Sequence, residues 1–81
     1  MIRLTELKLP LEHAPEALPA LITRTLGIEP GQLLLHTVYK RSVDARKAEL
    51  QRVYIVDVEV APTLEARLLA QFDKHPHIGP S

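Results

Sequence analysis

The run Lys40-Arg41-Ser42-Val43-Asp44-Ala45-Arg46-Lys47 gathers four cations, a hydroxyl and a carboxylate within eight residues. Such a cluster suits the phosphates of a cofactor or nucleic acid, or an acidic partner surface, and its plainer reading is a solvated hairpin tip that keeps sheet edges apart. Ser42 and Asp44 do not make a hydrolytic centre, because a hydroxyl nucleophile needs a base and no histidine lies in this stretch. At a strand end their side chains are expected to accept from backbone N–H groups in a cap or turn. His75-Pro76-His77 sets two imidazoles two residues apart with Asp73 as the nearby carboxylate. A metal site needs rigidly held ligands and a supporting shell, so this segment reads as a solvated tail. His13 and His36 stand singly and read as surface or half-buried side chains. Asp57 interrupts a valine-rich run and Glu59 follows two residues on. It reads as an outer-face carboxylate, or one paired with a basic neighbour, ahead of a general base.

The inventory removes several chemistries outright. With no cysteine there is no disulfide, thiolate metal site, iron–sulfur cluster or cysteine nucleophile. Gly27, Gly31 and Gly79 are the only glycines and form neither dinucleotide-binding nor P-loop spacing, so this segment is expected to bind no cofactor by either route. Three aromatic residues, Tyr39, Tyr54 and Phe72, are few for stacking nucleic-acid bases as well as filling a core. Ten Lys plus Arg balance ten Asp plus Glu. From His36 to Arg52, however, five basic side chains stand against two acidic ones, and elsewhere five stand against eight, so the neutral chain is dipolar. Eighty-one residues suffice for one small domain with little room for a deep pocket. The opening Met1–Glu6 lacks the apolar run of a signal peptide, and no stretch reaches membrane-spanning length, so a cytoplasmic domain with no membrane contact is expected.

The elements that position these residues follow from periodicity. Ile2, Leu4, Leu7, Leu9 and Leu11 alternate with one phase slip, predicting a strand with a bulge or kink near Thr5-Glu6. Leu18, Leu21, Ile22 and Leu26 form the stripe of a helix over 16–26, with Pro19 in its first turn and Gly27 as a left-handed stop. Glu29-Pro30-Gly31-Gln32 predicts a type II turn, followed by a strand from Leu33 to about Arg41. Arg52 to Val60 alternates cleanly, with Tyr54, Val56, Val58 and Val60 on one face and Val53, Ile55, Asp57 and Glu59 on the other. Pro62-Thr63 offers a stop and an N-cap to a second helix, striped by Leu64, Leu68, Leu69 and Phe72 and ending near Lys74. The order is βαββα: an α+β two-layer sandwich, with two helices on one face of a small, mainly antiparallel sheet, like a ferredoxin-like unit lacking its last strand. Residues 1–74 are the domain on this reading and 75–81 a linker, which leaves a sheet edge open to self-association.

A resemblance adds to this. The run from Val38 to Lys47, Val53-Tyr54-Ile55-Val56-Asp57-Val58-Glu59-Val60, the opening Ile2–Leu11, Leu26-Gly27-Ile28 and the closing His75-Pro76-His77-Ile78-Gly79-Pro80 are similar to the amino-terminal region of a bacterial family of FAD-dependent dehydrogenases. It spans nearly the whole chain. In that family the region precedes a glycine-rich FAD fingerprint, which this segment lacks. The resemblance therefore implies a parent oxidoreductase carrying FAD, and here a non-catalytic domain whose partner is the flavin-binding domain of the same polypeptide. Lys40, Arg41, Ser42, Asp44, Arg46 and Lys47 are the expected interface or phosphate-facing cluster, contributing docking, gating or electron-donor recognition. The alternative is a stand-alone RNA- or protein-binding module, to which the neutral charge and scarce aromatics are unfavourable.

Overall fold

A computed structural model of the chain describes residues 1–45 and 50–81. Four strands, β1 (Ile2–Pro10), β2 (Leu35–Asp44), β3 (Gln51–Glu59) and β4 (Ile78–Pro80), join two helices, α1 (Ala17–Leu26) and α2 (Pro62–Gln71). The strands form one antiparallel sheet in the order β2-β3-β1-β4. The α+β reading holds, with both helices supplying residues to a single core against one face of the sheet. Ile2, Leu4, Leu7 and Leu9 of β1 and Tyr54, Val56 and Val58 of β3 meet Leu18, Ile22 and Leu26 of α1 and Leu64 and Leu68 of α2 there. Burying these side chains, each contributing roughly 1.5–3 kcal/mol relative to exposure, is what holds so short a chain together.

The predicted phase slip in β1 is a bulge. Leu4 opposes Val56 and Leu7 opposes Tyr54, so Thr5 and Glu6 share the place of one residue, and Glu6 takes φ +58°. Without that extra residue Leu7 and Leu9 would turn out of the core. A second bulge, in β2, lies across the same residue: Val38 opposes Val56 and Lys40 opposes Ile55, leaving Tyr39 over. Periodicity does not reveal it, because β2 carries little core.

Gly27 ends α1 at φ 71°, and the Ile28 N–H donates to the Thr23 carbonyl across the cap (3.0 Å), as expected of a left-handed stop. The type II turn is not formed. Gly31 does not use positive φ, and the Gln32 side chain accepts from the Glu29 N–H (2.9 Å), closing Pro30–Gln32 as a 3₁₀ turn. The second helix is capped at Ala61 with Pro62 in its first turn rather than at Thr63, since proline's fixed φ suits the first helical position.

The tail is the main correction. The element expected to be missing is present as β4, within the segment read as a linker. Ile78 is only 5% exposed and opposes Leu4. The Thr5 N–H donates to the His77 carbonyl (2.9 Å) and the Ser81 N–H to the Met1 carbonyl (3.1 Å). A single apolar residue between two prolines gives no visible alternation, yet it is enough to seat three residues on the β1 edge. With β4 in place the topology is that of a complete ferredoxin-like unit.

Candidate functional site

Both helices lie on one side of the sheet, so the alternate side chains of the strands face out on the other. On β3 these are Val53, Ile55, Asp57 and Glu59, and register places Leu35, Thr37, Lys40, Ser42 and Asp44 of β2 and Arg3 and Lys8 of β1 beside them. Arg3 and Asp57 are directly opposed across β1 and β3, a pairing that brings opposite charges within reach. The Arg3 Nε donates to Asp57 Oδ1 (2.8 Å) and a second guanidinium nitrogen donates to Oδ2 (3.1 Å), a two-pronged fit that a lysine could not reproduce. Hydrogen bonding from Arg3 holds the Asp57 carboxyl below its ordinary value against the opposing effect of burial, and the same bond raises the guanidinium. Asp57 is thus a paired outer-face carboxylate, fully ionised at neutral pH.

The β2 bulge then acts on the same group. It throws Tyr39 out of step, and the ring comes to rest against Arg3, whose guanidinium carbon lies 4.1 Å from the ring centroid. Tyr39 remains 60% exposed, with one ring face on Arg3. Further along, Lys8 Nζ lies 3.4 Å from Asp44 Oδ2 and 3.9 Å from Glu6 Oε2. The result is a ridge of Leu35, Tyr39, Ile55 and Val53 that carries two ion pairs, Arg3 with Asp57 and Lys8 with Asp44, alongside Lys40 and Glu59.

The predicted cluster is divided by this geometry. Lys40, Ser42 and Asp44 share the open face, whereas Arg41 opposes the buried Tyr54 and so belongs to the helix side. Arg46 and Lys47 lie outside the described residues. Ser42 and Asp44 are strand residues rather than caps, because β2 runs three residues further than its apolar pattern shows, and the Asp44 carboxylate is paired with Lys8. Sequence reasoning missed Arg3 and Tyr39. The polar phase of Arg3 in β1 was a usable signal, but its partner is 54 residues away.

The histidines sort differently. His13 is half-buried and bridges two elements: Nδ1 lies 2.8 Å from the Pro10 carbonyl, and Nε2 lies 3.0 Å from the Tyr54 hydroxyl. The carbonyl can only accept, so Nδ1 carries the hydrogen, and in the neutral ring Tyr54 donates to Nε2. In the tail, the His77 N–H donates to His75 Nδ1 (3.1 Å), and His77 Nδ1 lies 3.1 Å from Thr5 Oγ1. Among the described residues no group of three metal-ligating side chains comes together.

A cleft of about 600 Å³ lies between the 3₁₀ turn and the first turns of α2, lined by Gln32, Leu34, Thr63, Leu64 and Arg67 among others. Among the described residues that line it there is no carboxylate or imidazole for proton transfer. The β1–α1 connection, Leu11–Glu16, contains no glycine, and β3 passes into α2 through Val60 and Ala61, so neither strand-to-helix turn presents the bare backbone a pyrophosphate needs.

Residues 1–59 match the family model described as Domain of unknown function (DUF8436). The chain belongs to this family. The DUF8436 match begins before β1 and ends with β3, so it takes in the three strands that build the ridge, the Arg3–Asp57 pair and Tyr39. It stops short of α2 and β4. No curated protein matches the chain.

Proposed function

We propose that this chain is a non-catalytic amino-terminal domain of an FAD-dependent oxidoreductase and that it docks, through its open sheet face, on the flavin-binding domain of the same polypeptide. The observation that carries the reading is the ridge itself. Leu35 is 52% and Tyr39 60% exposed, and Ile55 is half-buried between two bulges. Two pairs of the charges around them are joined in place, Arg3 with Asp57 and Lys8 with Asp44. Charges already paired lose little on meeting a protein surface, while the aromatic and aliphatic side chains beside them gain by burial. The sequence resemblance is what supports a flavoprotein parent. Nucleic acid is a poorer occupant, because Asp57 and Glu59 stand on the central strand where phosphates would lie.

The test is to raise an antibody to the domain, isolate the native antigen, and record its mass and visible spectrum. A polypeptide several times 9.1 kDa with flavin absorption bands is expected. In that protein Ile55→Lys should increase hydrogen exchange across the open face. A colourless species of 9.1 kDa would overturn the proposal and make a salt titration against RNA the next measurement.

A further inference from the structure

The free edge of β2 has a symmetry that points to its own copy. The phase of the hydrogen-bond ladder can be followed across the whole sheet. The Thr5 N–H to His77 carbonyl and Ser81 N–H to Met1 carbonyl bonds turn the backbone groups of Met1, Arg3 and Thr5 toward β4. Ile2 and Leu4 therefore face β3 at Val58 and Val56, and the alternate residues Asp57, Ile55 and Val53 face β2. On β2 the residues opposite them, Thr37, Lys40 and Ser42, face inward. His36, Val38, Arg41 and Val43 then turn their N–H and C=O groups outward along the edge, where no described strand pairs with them.

The bulge sets the spacing of those four residues. One residue separates His36 from Val38 and Arg41 from Val43, and two separate Val38 from Arg41. The pattern is its own mirror about the midpoint between Tyr39 and Lys40. We propose that β2 pairs antiparallel with β2 of a second copy about a two-fold axis at that midpoint, joining the two four-stranded sheets into one.

In this register every outward residue meets an outward residue: His36 meets Val43 of the other copy, and Val38 meets Arg41. The two residues of the bulged segment face the same two, so the interruption of pairing with β3 is matched residue for residue across the axis. The side chains agree on both faces. On the open face Thr37 lies opposite Ser42 of the second copy, two hydroxyls able to bond, and Lys40 lies opposite Tyr39, whose second ring face is not taken by Arg3. On the helix side Val38 (39% exposed) and Val43 (48% exposed) are covered by the stems of Arg41 and His36.

Charged residues normally guard an edge strand against its copies. Here they select the register. Pairing centred on Lys40 or on Arg41 opposes like charges, whereas the staggered register opposes none. The inference concerns the edge of the sheet and does not depend on the flavoprotein reading of its open face.

The chain has no cysteine, so the register can be tested by crosslinking. Thr37 and Ser42 form a non-hydrogen-bonded cross-strand pair in the proposed dimer, with Cα atoms about 4.5 Å apart, inside disulfide range. They lie on one strand of one chain and cannot reach each other within it. Sedimentation equilibrium at rising concentration should give twice 9.1 kDa for the native chain. Under mild oxidation the Thr37→Cys, Ser42→Cys double variant should form a covalent dimer while each single variant remains uncrosslinked. Val38→Pro removes an N–H that serves only the outer edge, so it should weaken dimerisation about tenfold or more with the fold, checked by circular dichroism, intact. A monomer at all concentrations overturns the proposal. So does a dimer that Val38→Pro leaves unchanged, or one that crosslinks equally through either single cysteine.

Discussion

Replacing Ile78 with Ala asks whether the last residues are structure or tether. Ile78 is 5% exposed, sits opposite the fully buried Leu4 and belongs to the core cluster. Truncating a buried isoleucine to alanine costs about 2–5 kcal/mol, the spread reflecting how far the site can collapse. A three-residue edge strand can shift inward after the change, so the low end, about 2 kcal/mol, is the appropriate figure. A core of this size supplies only about 3–5 kcal/mol of net stability. The variant should thus lose close to half of it, a fall of roughly thirtyfold in the folded-to-unfolded ratio, with Tm lower by about 10–15 °C. Urea titration followed by far-ultraviolet circular dichroism reads this directly, with an unchanged slope showing that the same surface is exposed on unfolding. Pro80→Ala, an exposed position on the same strand, is the control and should stay within about 0.5 kcal/mol. If Ile78→Ala also stays within about 0.5 kcal/mol, residues 78–80 contribute nothing to the core and the fourth strand is not part of the fold.

Glu6→Gly should raise stability by about 0.5–1 kcal/mol in the same titration, because the residue is exposed and held at φ +58°, where a side chain costs what glycine does not. A loss instead would show that its carboxylate beside Lys8 outweighs the backbone term. Asp57→Asn should reshape the acid limb of the stability curve. The folded carboxyl titrates below its ordinary value, so its stabilising contribution is complete above the unfolded carboxylate pKa of about 3.9 and is lost as pH falls through the lowered folded value. The difference between native protein and variant should therefore be constant near neutrality and shrink below about pH 4, and a pH-independent difference would contradict the Arg3 pairing. Tyr54→Phe removes the hydroxyl that meets His13 Nε2 and should cost about 1 kcal/mol in the same urea titration; a loss well below that would show that the bond contributes nothing in solution.

What could be read from the sequence depended on whether the deciding contacts were local. The β1 bulge was legible because Leu4 and Leu7 both had to enter one core, and the stop at Gly27 because left-handed backbone after an apolar stripe has few other occupants. The β3 alternation exposed the face carrying Asp57 for the same reason. The fourth strand was not legible, since its evidence is one isoleucine between His77 and Gly79, and its bonds run to residues at the other end of the chain. The β2 bulge left no trace in the apolar pattern because both phases of that strand are mostly exposed. Lys40 and Arg41 read as one basic surface because the strand was expected to end at Arg41; β2 continues through both to Asp44, so they alternate onto opposite faces of the sheet.

The two bulges share a cause in geometry and a consequence in chemistry. Both oppose Ile55, so the sheet carries an extra residue on each side of one position of β3. Each extra residue bends its strand and increases the local twist, and two at the same level bend β1 and β2 together about β3. On β1 the bend returns Leu7 and Leu9 to the core, at the cost of an uncommon φ at Glu6. On β2 no core residue requires it: Val38 and Val43, on either side, are both exposed. What the second bulge changes is the position of Tyr39 against Arg3 and the spacing of the outward backbone groups along the edge. It is a distortion that core packing does not demand, and its effects fall on the surface and the edge of the sheet. Both proposals, the docking face and the strand pairing, therefore draw on the strand with the fewest buried side chains.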